Sequence, residues 1–269
     1  MRQVLSKFFA DRGTHLAAMI AYFALLSFVP LLFLALALLG VAGQADQSSF
    51  FVRELAKVFP GTSVDLILKR VQQIQDNATA LGIVGGATLL WSSLSLFSVL
   101  ESACNIVYGR PNRSFLRGKA LASLLMIGSL VSLFVSLVIG SIGAEVLRRF
   151  AAGLIGNVYV GTVVSALVSL VGVFAFLVSV YFLLTNVRLR LREVLPGAIT
   201  AAILLEVTFQ ALPIFIRLTS KVPVLQALGG PIYLLVWLYV MANVIVLGAE
   251  VNWIRGGRAR PSDEPIGFA

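Results

Sequence analysis

The side chains best suited to chemistry lie in one row on a long apolar segment at about 194–216. Glu206 stands about 12 residues inside this segment, which is about 18 Å deep at a helical rise of about 1.5 Å per residue. Gln210, Pro213 and Arg217 follow it, and at about 100° per residue all four share a sector of about 60°. Ionisable side chains in a membrane span normally face the interior and mark a pathway. A protonated or paired Glu206 that only holds helices together is the alternative interpretation.

Two further polar faces lie on other apolar segments. The first, in 81–107, consists of Glu101, Asn105 and Tyr108. The second, in 230–250, consists of Tyr239, Asn243 and Glu250. Both glutamates fall near the ends of their segments, where we expect basic neighbours to neutralise them. The candidate partners are Arg110, Arg192 and Arg255. Apart from Tyr108, these faces join Glu206, Gln210 and Arg217 as the candidate substrate pathway.

The chain offers little for hydrolysis or metal binding. One histidine, His15, and one cysteine, Cys104, cannot make an ordinary zinc site. Metal-assisted phosphodiester cleavage requires carboxylates or histidines clustered beside the scissile phosphate. The carboxylates of the loops on the side of the termini are instead scattered: Asp11, Glu193, Asp263 and Glu264. We therefore predict that the protein is not an enzyme, with no catalytic residue, no metal and no cofactor.

Six long apolar segments have to position these residues. The chain is 59% hydrophobic and 12% charged, and 38 consecutive residues between Arg149 and Arg188 carry no charge. Because roughly 20 apolar residues cross a bilayer as a helix, this pattern predicts an all-α, polytopic integral membrane protein. We expect one membrane domain, 1–269, with an excursion at 40–80. The spans are predicted at about 15–39, 81–107, 120–144, 160–184, 194–216 and 230–250.

The basic residues predict the orientation and one class of partner. Thirteen Lys and Arg residues fall on the side that carries both termini, whereas eight fall on the other side. Basic loops stay in the cytoplasm, so both termini are expected there. The net charge of +9 is spread over short loops. It therefore indicates anionic membrane lipids at the cytoplasmic face, and no nucleic acid.

Smaller features shape individual helices. Residues 1–11 read as a short amphipathic helix in the membrane interface. Pro30 and Pro213 are expected to kink their spans, because proline removes an amide donor. Mid-span tryptophans, Trp91 and Trp237, indicate interior packing. Stripes of small residues favour close helix packing and a homo-oligomer; one stripe contains Gly128, Ser132, Ser136, Gly140 and Ala144.

Short motifs in a fixed order resemble one family. They are Ala21, Tyr22, Ser27 and Pro30; Leu100, Glu101, Ala103, Asn105 and Tyr108; Leu195, Pro196, Gly197 and Ala198; and Leu238, Tyr239, Gly248, Ala249 and Glu250. Over about residues 5–254 the chain resembles the YihY/BrkB family, once labelled ribonuclease BN. The resemblance implies six spans, the bacterial inner membrane and no established activity. Serum resistance and envelope lipid transport have been suggested for the family. Glu206 departs from the family pattern, which is apolar or aromatic there.

Two functions fit these features. Kinked spans, midplane polar groups and a basic cytoplasmic face favour transport or translocation of lipid or another amphipath. The alternative is a non-transporting membrane scaffold that binds an envelope protein partner through the 40–80 excursion.

Overall fold

Every regular element that the structure describes is a helix. The computed structural model describes residues 2–41, 78–129, 170–219 and 230–256 of the 269-residue chain. The helices are α1 (Arg2–Ala10), α2 (Gly13–Val41), α3 (Ala78–Val107), α4 (115–129), α5 (Leu170–Leu184), α6 (Leu191–Thr219) and α7 (Gly230–Arg255). The prediction of an all-α protein is confirmed.

Four of these helices have membrane-spanning length. The helices α2, α3, α6 and α7 contain 29, 30, 29 and 26 residues, or about 39–45 Å each at about 1.5 Å per residue. Within the described residues, Leu191–Leu212 and Ile232–Arg255 are long and apolar enough to cross a membrane, and Gly13–Phe28 and Leu170–Leu184 are shorter apolar helices. The count of six spans stays a prediction. Residues 42–77, which hold most of the excursion, and 130–169 lie outside the described residues.

The chain divides into two compact units. Unit one contains Met1–Leu16, Leu100–Val207 and Asn243–Ala269, and unit two contains Ala17–Val99 and Thr208–Ala242. In unit one the buried apolar residues come from all seven helices; the most fully buried are Leu177, Val180, Val194, Ala198 and Ala201. Unit one also holds nearly all of the polar contacts described below.

Helices α6 and α7 approach closely in unit one because each carries a glycine at the contact. A Cβ atom on Gly197 would overlap the carbonyl oxygen of Gly248. A Cβ atom on Gly248 would lie 2.8 Å from Ala201 Cβ and 3.0 Å from the Gly197 carbonyl oxygen. The Gly197 amide also donates a hydrogen bond of 2.6 Å to Oδ1 of Asn252. These two glycines therefore bring the start of α6 against the end of α7.

The short helix α1 is confirmed, and it packs by one aromatic ring. Phe8 is buried, and its ring lies so close to Gly13 that a Cβ there would overlap it. Arg12 adopts the left-handed conformation (φ 56°) and ends the helix, so that α2 begins at the next residue. Leu5 and Phe9 stay exposed. A position of α1 in the membrane interface stays a prediction.

In unit two the two tryptophans behave differently. Trp237 is buried and packs on Phe215, with ring centroids 5.2 Å apart, as expected of a tryptophan in the middle of a span. The same expectation is wrong for Trp91, whose side chain is 66% exposed. Position along an apolar segment does not tell which side of a helix faces the protein.

Helices α2 and α6 run without interruption through Pro30 and Pro213, and the expected kinks stay predictions.

Candidate functional site

The first polar cluster of unit one, the Lys7 cluster, ties α1 to α3 and α7. Lys7 Nζ donates 2.8 Å hydrogen bonds to the Val107 carbonyl oxygen, at the end of α3, and to Oε2 of Glu250 on α7. It also pairs with Asp11, four residues further on and directly after α1. The ammonium lies 4.4 Å from the ring centroid of Trp253. Three separate helices therefore meet at a single lysine.

All three N–H donors of Lys7 are occupied, whereas, among the described residues, one acceptor of the Lys7 cluster is not. An ammonium has three donors, and Asp11, Val107 and Glu250 supply three oxygen acceptors. The Glu250 side chain is 0% exposed. Its second oxygen, Oε1, is buried and has no hydrogen-bond partner within the described part of the chain.

The second cluster, the Arg113 cluster, closes the end of α5. Arg113 pairs with Glu101 of α3 at 3.3 Å. Its guanidinium also donates to the carbonyl oxygens of Leu184, Leu183 and Thr185 at 2.6, 3.0 and 2.9 Å. The last turn of α5, Val180–Leu184, is a π-helical turn, after which Thr185 is extended. Carbonyls at a helix end lack intrahelical donors, and one arginine supplies them here.

An amide network continues from the Arg113 cluster. Asn105, fully buried on α3, accepts a 2.7 Å hydrogen bond from the Asn186 amide and donates to Oδ1 of Asn112 at 3.0 Å. Asn112 in turn donates to the Ser102 hydroxyl at 2.7 Å. The loop after α3 and the loop after α5 are therefore joined through one asparagine, and all of its polar atoms are used within unit one.

A tyrosine joins α5 to α7. The Tyr181 hydroxyl donates a 2.7 Å hydrogen bond to the carbonyl oxygen of Ile245, and it sits where a side chain on Gly248 would otherwise be. The Thr185 hydroxyl donates to the Tyr181 carbonyl oxygen, also at 2.7 Å. Both side chains are almost completely buried. The π-helical turn is therefore bonded to α7 through Tyr181 and to the residue that follows it through Thr185.

Three of the residues predicted from the sequence belong to these clusters. Glu101, Asn105 and Glu250 are all buried in unit one. The expected ion partners of the two glutamates differ from those observed, since Glu101 pairs with Arg113 and Glu250 with Lys7. The three arginines that we expected to pair with them remain exposed: Arg110, Arg192 and Arg255.

The remaining candidates lie elsewhere on α6 and α7. Glu206 and Asn243 are half-buried in unit one. Gln210 and Arg217 are exposed, and Tyr239 is half-buried, in unit two. A pathway through these residues stays a prediction.

Several residues of the clusters were not singled out by the sequence. They are Lys7, Arg113, Thr185, Asn186 and Asn252. Lys7 and Arg113 were counted only as basic loop residues that set the orientation. Asn252 lies two residues beyond Glu250, and its 1% exposure places it in the core. A signal was present in the polar residues that flank the apolar segments, but nothing in the spacing says which of them turn inward.

The described loop carboxylates serve the helix ends. Asp11 pairs with Lys7, and Oε2 of Glu193 accepts a 2.9 Å hydrogen bond from the Arg190 amide at the start of α6. Among the described residues, no group of three or more histidines, cysteines, aspartates and glutamates could hold a metal ion. The arrangement is suited to neutralising buried charge and fixing helix ends.

Apolar helices of spanning length, with polar contacts gathered at their ends, define an integral membrane protein. The family model described as virulence factor BrkB matches residues 4–266, so the chain belongs to the BrkB family. This confirms the resemblance found in the sequence motifs.

Curated relatives agree with the membrane assignment. A UPF0761 membrane protein of Aeromonas salmonicida is 29% identical over 98% of this chain and 91% of its own length. One from Nitrosospira multiformis is 28% identical over 93% of this chain, which spans 59% of that relative. The chain is also similar to the ribonuclease-like protein YfkH of Bacillus subtilis, with 26% identity over 98% of both chains. No solved structure matches the chain.

Proposed function

We propose that the protein moves a lipid or another amphipathic molecule across or within the bacterial inner membrane, with both termini in the cytoplasm. The observation that carries this proposal is the position of Glu206 on α6. It lies about 22 Å from the start of the helix at about 1.5 Å per residue. It also falls inside Leu191–Leu212, which is apolar enough to cross a membrane. A carboxyl group at such a depth is costly unless it serves a pathway or a partner.

Glu206 occupies the seam between a packed face and an exposed face of α6. Ala202 and Leu205 are buried on one side of it, whereas Ile203 and Val207 are 51% and 60% exposed on the other. Glu206 itself is half-buried. A polar headgroup held at such a seam leaves its acyl chains in the bilayer. This geometry favours an amphipath over a fully polar solute.

The exposed basic residues favour an anionic headgroup. Arg110, Arg192 and Arg255 are exposed in unit one, and each basic residue near an anionic surface contributes about 1 kcal/mol of attraction. Phe115 and Leu116, at the start of α4, are 76% and 79% exposed. Lys119 lies 5.8 Å from the Phe115 ring centroid. Aromatic and basic side chains together are typical of the headgroup level of a membrane.

The test is a bleaching assay in proteoliposomes that contain a fluorescent phospholipid. A membrane-impermeant reductant bleaches only the outer leaflet, so loss of the inner-leaflet signal measures translocation. We expect protein-dependent loss of that signal, and a rate about tenfold lower for Glu206→Gln, since about 1.4 kcal/mol in a barrier is tenfold in rate. Anionic and zwitterionic labels in parallel measure the headgroup preference.

Glu193→Gln is the matched control, because it removes the same charge from the same helix near its start. Its rate is expected to equal that of the wild type. A signal no different from empty liposomes would overturn lipid movement by this protein alone, and would favour the scaffold alternative. Equal rates for wild type and Glu206→Gln would remove Glu206 from the pathway.

A further inference from the structure

We propose that Oε1 of Glu250 is a proton-binding site, and that the bound proton releases α1 from the ends of α3 and α7. The inference does not depend on what the protein transports. It rests on the hydrogen-bond inventory of the Lys7 cluster and on the burial of its carboxylates.

The inventory leaves one carboxylate oxygen without a donor. Lys7 uses its three N–H groups on Asp11, on the Val107 carbonyl and on Oε2 of Glu250. Oε1 of Glu250 is buried with no hydrogen-bond partner within the described part of the chain. An ionised carboxylate needs donors on both oxygens when it is removed from water. A proton on Oε1 neutralises the group without needing room for a larger ligand.

Charged groups of both signs face the Glu250 carboxyl. Among the described residues, the charged groups that face its carboxyl are Lys7, which favours the ionised form, and Asp11, which opposes it. Lys7 lies on α1, and Asp11 directly follows it. Helix α3 contributes the Val107 carbonyl oxygen and α7 contributes the Trp253 ring, and neither of these groups is charged. Lys7 thus serves two carboxylates, Asp11 and Glu250, at the same time.

Protonation of Glu250 weakens the attachment of α1. Asp11 directly follows α1, so its pairing with Lys7 does not tie α1 to another helix. Within the described residues, the ties of Lys7 to other helices are Glu250, the Val107 carbonyl and the Trp253 ring. Of these, Glu250 is the one that carries a charge. The ion pair is present above the midpoint of Glu250 protonation and is lost as the pH falls through it.

Infrared difference spectroscopy of the purified full chain tests the proton site. On lowering the pH from about 9 to about 4, a band of a protonated, buried carboxyl group is expected for the wild type and absent from Glu250→Gln. Glu101→Gln removes the other buried, ion-paired glutamate and is expected to keep the band. In Lys7→Met the band is expected at a higher pH, by about one unit or more, because the opposing cation is gone.

Release of α1 is read from Trp253, which lies beside the Lys7 ammonium. In a Trp91→Phe, Trp237→Phe background it is the one remaining tryptophan. Its emission is expected to change with the same pH midpoint as the infrared band, and not to change in Glu250→Gln. A wild-type band identical to that of Glu250→Gln over the whole pH range overturns the proton site. A Glu250 band without the emission change overturns the release of α1.

Discussion

At the scale of single residues, Arg113 satisfies more groups than any other side chain described above. Its guanidinium reaches the Glu101 carboxylate and three backbone carbonyls at the end of α5. A lysine keeps the charge, but it lacks the planar fork that reaches several acceptors at once. Arg113→Lys is therefore expected to lower the free energy of unfolding by about 2–3 kcal/mol. Thermal unfolding in detergent measures the loss as a lower midpoint.

Arg190→Lys is the control for this substitution, since Arg190 is exposed in the loop before α6. Its midpoint is expected to stay within about 1 °C of the wild type, because exposed substitutions change stability by less than about 0.5 kcal/mol. Equal midpoints for Arg113→Lys and Arg190→Lys would contradict the role given to Arg113.

The sequence predicts which carboxylates matter better than it predicts their partners. Glu101 and Glu250 were selected because each interrupts the end of an apolar segment. Their partners are set by which helix ends meet, and that is a tertiary property. Glu250 and Lys7 lie 243 residues apart in the chain. A neighbouring arginine such as Arg255 is closer in sequence, yet it points outward.

At the scale of elements, the contact between α6 and α7 depends on two glycines. A Cβ on Gly197 meets the Gly248 carbonyl oxygen, which cannot move aside as a flexible side chain does. A Cβ on Gly248 meets the Tyr181 hydroxyl, then Ala201 Cβ and the Gly197 carbonyl oxygen. Gly197→Ala and Gly248→Ala are each expected to destabilise the protein by about 3 kcal/mol. Gly128 and Gly172 have no atom within 4 Å of an added Cβ. Alanine there is expected to be neutral or to stabilise by up to about 1 kcal/mol.

The four alanine variants are compared by thermal unfolding under one condition. The expected order puts Gly197→Ala and Gly248→Ala well below the wild type, with Gly128→Ala and Gly172→Ala at or above it. If all four unfold at similar temperatures, the close approach of α6 and α7 is not what these glycines provide.

The apolar segments predicted where helices occur, but they did not predict the residues at which the helices end. Helix α7 runs to Arg255, five residues past the predicted span, because Asn252 packs against α6 and Trp253 against Lys7. The π-helical turn that ends α5 has no counterpart in a hydropathy pattern. It depends on Arg113 from the loop after α3 and on the bond from its own Tyr181 to Ile245 of α7. The position and form of a helix end depend on how polar residues pair there. That pairing follows no sequence period, so a hydropathy pattern does not predict it.

At the scale of the whole molecule, the distribution of basic residues predicts that both termini lie in the cytoplasm. Lys7 and Arg113 are each bound to a carboxylate in unit one, so eleven of the thirteen basic residues on that side remain outside these two pairs. Reporter domains that are active only in the cytoplasm, fused in turn to each end, are expected to be active at both. A reporter that is inactive at one end would mean an odd number of spans.

The pairing of Lys7 with Glu250 cannot form until most of the chain has been synthesised. With 243 residues between them, and a ribosome adding about 5–20 residues per second, the lysine is made about 12–50 s before its partner. Asp11 is available at once, one helical turn away. For that interval the first helix carries its own counter-ion, and the chain can join its two ends only after the last helix has been made.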